Sequence, residues 1–146
     1  MKKIEIIIAK YGYPGKTLVG EPTNTTAFYV IQHNPAKIAK YYPIIEKAGE
    51  KGELPFIYTA MMLDRKLTSE GKEQIYGTQA YGVTINNSLT GKKDFFQYIM
   101  PIKNAKDVNK MRKKAGFDTT VEANAKRLGI VYMAYTQEDI DKIIKQ

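Results

Sequence analysis

The stretch Pro55–Gln79, PFIYTAMMLDRKLTSEGKEQIYGTQ, decides how this chain is read, because its hydrophobic period changes once, at Gly71. Before Gly71, the residues Phe56, Ile57, Ala60, Met61, Leu63 and Leu67 share one face at 100° per residue, which predicts a helix running to about Glu70. Pro55 suits the first turn of that helix and Gly71 its stop. After Gly71 the chain turns to Ile, Tyr, Val, Phe and Thr, and strands are predicted over 74–85 and 94–102. Asn86, Asn87, Ser88, Thr90 and Gly91 supply the turn between them, so the pair reads as an antiparallel hairpin.

Working outward toward the N-terminus, Ile4, Ile7 and Ile8 fit a first helix over 3–11 better than a strand. Gly12, Pro14, Gly15 and Gly20 mark a loop, read as a flap whose only cation is Lys16. Ala27 to Ile31 is continuously apolar and predicts a helix buried on every side, ending at Gln32-His33-Asn34 before Pro35. Ile38, Tyr41, Tyr42, Ile45 and Ala48 form the stripe of the next helix. Pro43 should kink or shorten it, and Gly49 and Gly52 should end it.

Toward the C-terminus, Asn104 is placed to cap a helix carrying Val108, Met111 and Ala115 inward, stopped by Gly116. Thr119 or Thr120 caps another, with Val121, Ala125 and Leu128 inward and Gly129 as its stop. Ile130 to Tyr135 is a candidate third strand. Thr136 with Asp139 starts a last helix carrying Ile140, Ile143 and Ile144. The expected fold is α+β and predominantly helical: one compact domain over 1–146, of about six helices with a small antiparallel β-hairpin.

Composition narrows the chemistry. The 146 residues include no cysteine and one histidine, which excludes disulfides, thiolate metal sites and a histidine-rich metal site within this chain. No Asp-x-Asp cluster suggests magnesium, and neither a metal nor a cofactor is expected. No apolar run approaches the length of a membrane span. Ile4–Ala9 lacks the length and cleavage site of a signal peptide, so cytoplasmic residence is the expectation. The net charge of +8 is carried almost wholly by dispersed lysines, with only Arg65, Arg112 and Arg127 beside them. Arginine is the better reader of phosphates and bases, so this footprint favours nucleic acid only weakly.

Polar residues concentrate in three places. Asp64 falls near the centre of the apolar face of the 55–70 helix, with Arg65 at its edge. An unpaired carboxylate there would cost several kcal/mol, so Asp64 must be paired, hydrogen-bonded or turned to an internal polar cavity. Gln32 and His33 lie where a buried helix ends. Gly71–Gln79 packs Gln74, Tyr76, Thr78 and Gln79 beside two glycines, and in a regular strand Gln74, Tyr76 and Thr78 share a face. The candidate catalytic residues are His33 as proton carrier, Asp64 to orient it and Tyr76 as an acid. The candidate binding residues are Gln32, Arg65, Gln74, Thr78 and Gln79. The alternative for all of them is structural: a helix-end histidine, an Asp64–Arg65 pair, and a polar network fixing the hairpin.

The pattern Tyr11-Gly12-Tyr13-Pro14, Leu18-Val19-Gly20, Gln32-His33, Leu63-Asp64-Arg65 and Gly71-Lys72-x-Gln74-x-Tyr76-Gly77-Thr78-Gln79 resembles domain-of-unknown-function family 6624. Pro101-Ile102, Val108-Asn109, Arg112, Gly116 and Gly129-Ile130 continue the resemblance. Tyr13 stands where the family usually carries tryptophan. The resemblance implies a largely helical fold with a small β element, and no particular activity.

Three functional readings follow. The first is a metal-independent hydrolase or transferase acting on a small polar or anionic substrate. The second is a non-catalytic module binding a small molecule or peptide through the same polar groups. The third is a basic adaptor for nucleic acid or an acidic protein partner.

Overall fold

The computed structural model describes residues 1–86 and 90–145. The protein is a helical α+β structure with eight α-helices and one two-stranded antiparallel sheet among the described residues. Its contacts fall into two compact units, Met1–Glu70 and Gly71–Gln146. The boundary coincides with the change of period at Gly71.

The first unit holds α1 (Lys2–Tyr11), α2 (Lys16–Val19), α3 (Thr26–Gln32), α4 (Pro35–Glu50) and α5 (Phe56–Ser69). Its core joins Ile8, Phe28, Ile31, Ile38, Tyr41, Ile45, Leu54 and Met62. The 12–20 loop contains one helical turn, α2, which the glycine count concealed. α3 is not buried all round: Ala27, Phe28 and Ile31 are inside, but Tyr29 is exposed. Its ring meets Phe28 and Tyr58 edge-on, at 5.3 and 5.8 Å, which lets one face remain at the surface.

α4 passes through Pro43. Both Pro43 and Ala39 are exposed, so the carbonyl that loses its amide partner faces water. Gly49 lies within the helix, against α5. A Cβ at Gly49 would run into Thr59 Oγ1, so this glycine permits the close crossing of α4 and α5. On α5 the buried residues are Thr59, Ala60, Met62 and Asp64. The inward face is thus rotated from the expected one: Met62 is inside, whereas Met61, Leu63 and Leu67 are half-buried.

The second unit holds β1 (Ala80–Asn86), β2 (Lys93–Ile99), α6 (Val108–Lys114), α7 (Val121–Arg127) and α8 (Gln137–Ile144). The strands pair from Ala80 with Ile99 to Asn86 with Lys93. Of the expected turn, Asn87 and Ser88 lie outside the described residues. The core of this unit is Ile99, Ile102, Val108, Val121, Ala125 and Ile130. Thr120 caps α7 by accepting from Ala123 N at 3.2 Å. Thr136 and Asp139 form a reciprocal capping box on α8. Asn104 stands at the N-cap of a 3-10 turn, Ala105–Asp107, before α6, but its side chain makes no capping bond: its amide donates to Asp107 Oδ2 at 2.9 Å.

Three expectations change here. Residues 74–79 are not part of a strand. Gln74 makes one isolated parallel bridge to Ile102, and the strand starts only at Ala80. Residues 130–135 make no ladder among the described residues, and Val131 is 85% exposed. A tight turn, Tyr135 N to Met133 O at 2.9 Å, takes the place of strand pairing. Leu128 faces outward because it terminates α7, where Gly129 turns the chain at φ +76° so that Ile130 enters the core instead.

Candidate functional site

Four of the candidate residues belong to the first unit. Gln32 is buried in the last turn of α3, and His33, the next residue, is exposed. Asp64 is fully buried, at 0% exposure, as its place on the helical wheel required. The His33 backbone N–H donates to Ile31 O at the end of α3. An orienting bond from Asp64 to the imidazole would have to join a group deep inside α5 to one at the surface. Arg65 is half-buried, and its carbonyl accepts from Thr68 Oγ1 at 3.2 Å. Neighbouring residues on a helix diverge by about 100°, so Asp64 points inward while Arg65 does not.

The other four lie in the second unit, on a loop folded around one side chain. Gln74 is fully buried. Its Nε2 donates to Gln79 O at 2.9 Å and to Met100 O at 2.8 Å. Its Oε1 accepts from Gln79 N at 2.8 Å. The Gln79 carbonyl also accepts from Met100 N at 3.1 Å, but its N–H is taken by Gln74, so the strand pairing stops there and does not extend back to Gln74. The Gln74 backbone completes the knot: its N–H donates to Pro101 O and its carbonyl accepts from Lys103 N, each at 3.0 Å.

Inside this loop Gly77 has φ +66°. A Cβ at that position would lie 2.6 Å from Val121 Cγ2 and 2.9 Å from Ile102 Cδ1. Glycine is required twice over, by the left-handed backbone and by the lack of room. The alternation that would have placed Gln74, Tyr76 and Thr78 on one face is broken at this residue. Tyr76 is buried, its ring 5.9 Å from Phe117, and the Gln79 amide donates to Thr78 Oγ1 at 3.0 Å. Thr78 and Gln79 are half-buried.

Two residues absent from the sequence-based candidate set hold the loop in place. Arg112, 2% exposed, donates from Nη1 to Tyr76 O at 2.8 Å. Its Nε and Nη2 reach Thr119 O and Oγ1 at 2.8 and 3.1 Å, and its guanidinium carbon sits 4.3 Å from the Phe117 ring centre. Asn124 donates to Gly77 O at 3.2 Å. The signal for Arg112 was legible: Val108, Arg112 and Ala115 stand at i, i+4 and i+7, and all three are buried. A charged side chain on an apolar helix face needs partners, and this holds for Arg112 as it does for Asp64. Beside it, Asn109 Nδ2 donates to Glu122 at 2.9 Å and holds that carboxyl below its ordinary pKa.

Among the described residues, no group of three or more histidine, aspartate or glutamate side chains is placed to hold a metal ion. None of the described helices is long and apolar enough to cross a membrane. A family model, described as a family of unknown function (DUF6624), matches residues 1–136. No curated protein and no solved structure matches the chain.

Proposed function

Since the chain belongs to DUF6624, a family of unknown function, the reading has to rest on geometry, and we propose a non-catalytic domain that binds a small polar or anionic molecule through the loop Gln74–Gln79. One observation carries it. Side chains hold three carbonyls of this loop: Arg112 of α6 on Tyr76, Asn124 of α7 on Gly77, and Gln74, the loop's own first residue, on Gln79. A loop so held loses little freedom when a ligand arrives, and that pre-organisation favours binding. In this reading Thr78 and Gln79 contact the ligand, while Gln74 and Tyr76 shape the loop.

The enzymatic reading has less support. A general base must be held in reach of its proton and in the right orientation, and His33 is exposed at the end of α3. The test is mass spectrometry of small molecules released when freshly purified protein is denatured, followed by re-addition of whatever is found. Wild-type protein is expected to release a defined compound, to melt higher when it is restored, and to return it unchanged. Gln79→Ala should release none while melting within a few degrees of wild type. A compound returned chemically altered, and left intact by His33→Ala, would replace this reading with the hydrolase or transferase. Absence of both released compound and stabilisation would remove the proposal.

A further inference from the structure

The first unit contains a cavity of about 340 Å³ that none of the candidate residues lines. This is at the lower end of the range that small-molecule sites occupy, roughly 300–1,000 Å³. Its apolar surface comes from the Tyr13 ring, Ile44 and Ala48, and Gly12 contributes backbone. Lys47 and Lys51 close one side. They stand four residues apart at the end of α4, so both ammonium groups rise from the same side of the helix. Neither makes an ion pair or hydrogen bond through its side chain with any described residue.

Glu53 is the one acid on the wall. Its carboxylate is already engaged, accepting from Thr17 N at 2.8 Å and Thr17 Oγ1 at 2.6 Å, and those bonds keep it ionised below its ordinary range. Two ammonium groups therefore face one committed carboxylate, and the local balance is positive. The Tyr13 hydroxyl donates to Asn24 O at 2.8 Å and turns only its ring to the cavity, and burial keeps it protonated. Asn24 is 1% exposed and also donates from Nδ2 to Glu53 O at 3.0 Å. Its side-chain oxygen is a buried acceptor with no donor among the described residues, on a residue bonded to two of the cavity's lining residues, Tyr13 and Glu53. Buried acceptors of this kind are uncommon and mark places where packing is not self-contained.

We propose that this cavity binds a compact organic anion with an apolar body: the carboxylate or phosphate lies between Lys47 and Lys51, and the body rests on Tyr13, Ile44 and Ala48. The inference is independent of the loop in the second unit, and either can fail without the other.

The test uses four probes of graded charge and shape: 3-phenylpropionate, phenylalanine, phenethylamine and inorganic phosphate. Each is titrated into the full chain at low ionic strength while the methyl signals of Ile44 and Ala48 are followed by NMR. 3-Phenylpropionate should saturate, shift those methyls, and bind about tenfold tighter than phenethylamine or inorganic phosphate, a difference of about 1.4 kcal/mol. The Lys47→Gln/Lys51→Gln protein has both changes at the surface and keeps its core. It should bind 3-phenylpropionate about tenfold more weakly, with wild-type phenethylamine affinity. Phenethylamine binding as well as the anion, inorganic phosphate binding as well as 3-phenylpropionate, or affinity unmoved by the double change would each overturn the proposal. So would saturation that leaves the Ile44 and Ala48 methyls unshifted. Phenylalanine binding more tightly than 3-phenylpropionate would overturn the assignment as an anion site, because the added ammonium would then be gaining from Glu53.

Discussion

Gly77 and Gly12 share left-handed backbone, at φ +66° and +77°, yet they differ in what surrounds them. Nothing lies within 4 Å of a Cβ built on Gly12, whereas one on Gly77 meets Val121 and Ile102. Gly12, at ψ −161°, lies where almost only glycine is found, so Gly12→Ala should cost the conformational penalty alone, about 1–3 kcal/mol. Gly77→Ala adds overpacking against two core side chains, and about 2–4 kcal/mol is expected in urea denaturation. Equal costs at the two sites would mean that the contact at Val121 relaxes freely. Gln74 makes a comparable point for a polar side chain. Gln74→Ala leaves the Gln79 N–H and the Met100 carbonyl without their partner, while the Gln79 carbonyl keeps its bond from Met100 N, so a loss of about 2–3 kcal/mol is expected. Asp64 could be read from sequence because burial of one charged residue is a property of one helix wheel. The work of Gln74 could not, because its partners lie up to 26 residues away in the chain.

At the scale of elements, local signals served well. The Thr136-x-x-Asp139 box starts α8 where the sequence places it, and Thr120 caps α7. Thr136→Ala should cost about 1 kcal/mol of stability, as N-cap replacements do, and should raise amide exchange in α8. The box also carries a pH dependence. Hydrogen bonds from the Thr136 hydroxyl and backbone N–H hold the Asp139 carboxyl below its ordinary value of 3.8. A folded pKa below the unfolded one adds stability above the unfolded value, and that stability is lost as pH falls through the folded value. Exchange at the start of α8 should thus accelerate below about pH 4, where carboxyls protonate, and Thr136→Ala should blunt that change. What misled at this scale was non-local. The apolar run at 130–135 has strand composition, but no partner strand among the described residues receives it. The inward face of α5 was rotated because Thr59, polar by type, donates to Ile45 O at 3.3 Å inside the α4–α5 contact.

For the whole molecule, the helical α+β class follows from composition and period alone, and the family match over residues 1–136 agrees with the motifs read in the sequence. The site is less legible, since the side chains that hold the Gln74–Gln79 loop, Arg112 and Asn124, lie 36 and 47 residues away in the chain from the carbonyls they hold. With a net charge of +8 carried mainly by separate lysines, binding to a mixed-sequence oligonucleotide should be weak, indifferent to sequence and steeply salt-dependent. Fluorescence anisotropy at 50 and 200 mM salt checks this; tight binding surviving at the higher salt would restore the adaptor reading.

Glu53 has one further consequence. Its carbonyl receives Lys16 N and the Asn24 amide, and its carboxylate receives both donors of Thr17. Gly15 lies so close that an added Cβ would come within 2.5 Å of Glu53 Cβ and Oε2. Damage from either flank opens the same seam. In a thermodynamic cycle, Gly15→Ala and Glu53→Ala should therefore be sub-additive, the second lesion costing little once the first has unfastened the strap spanning residues 15–24.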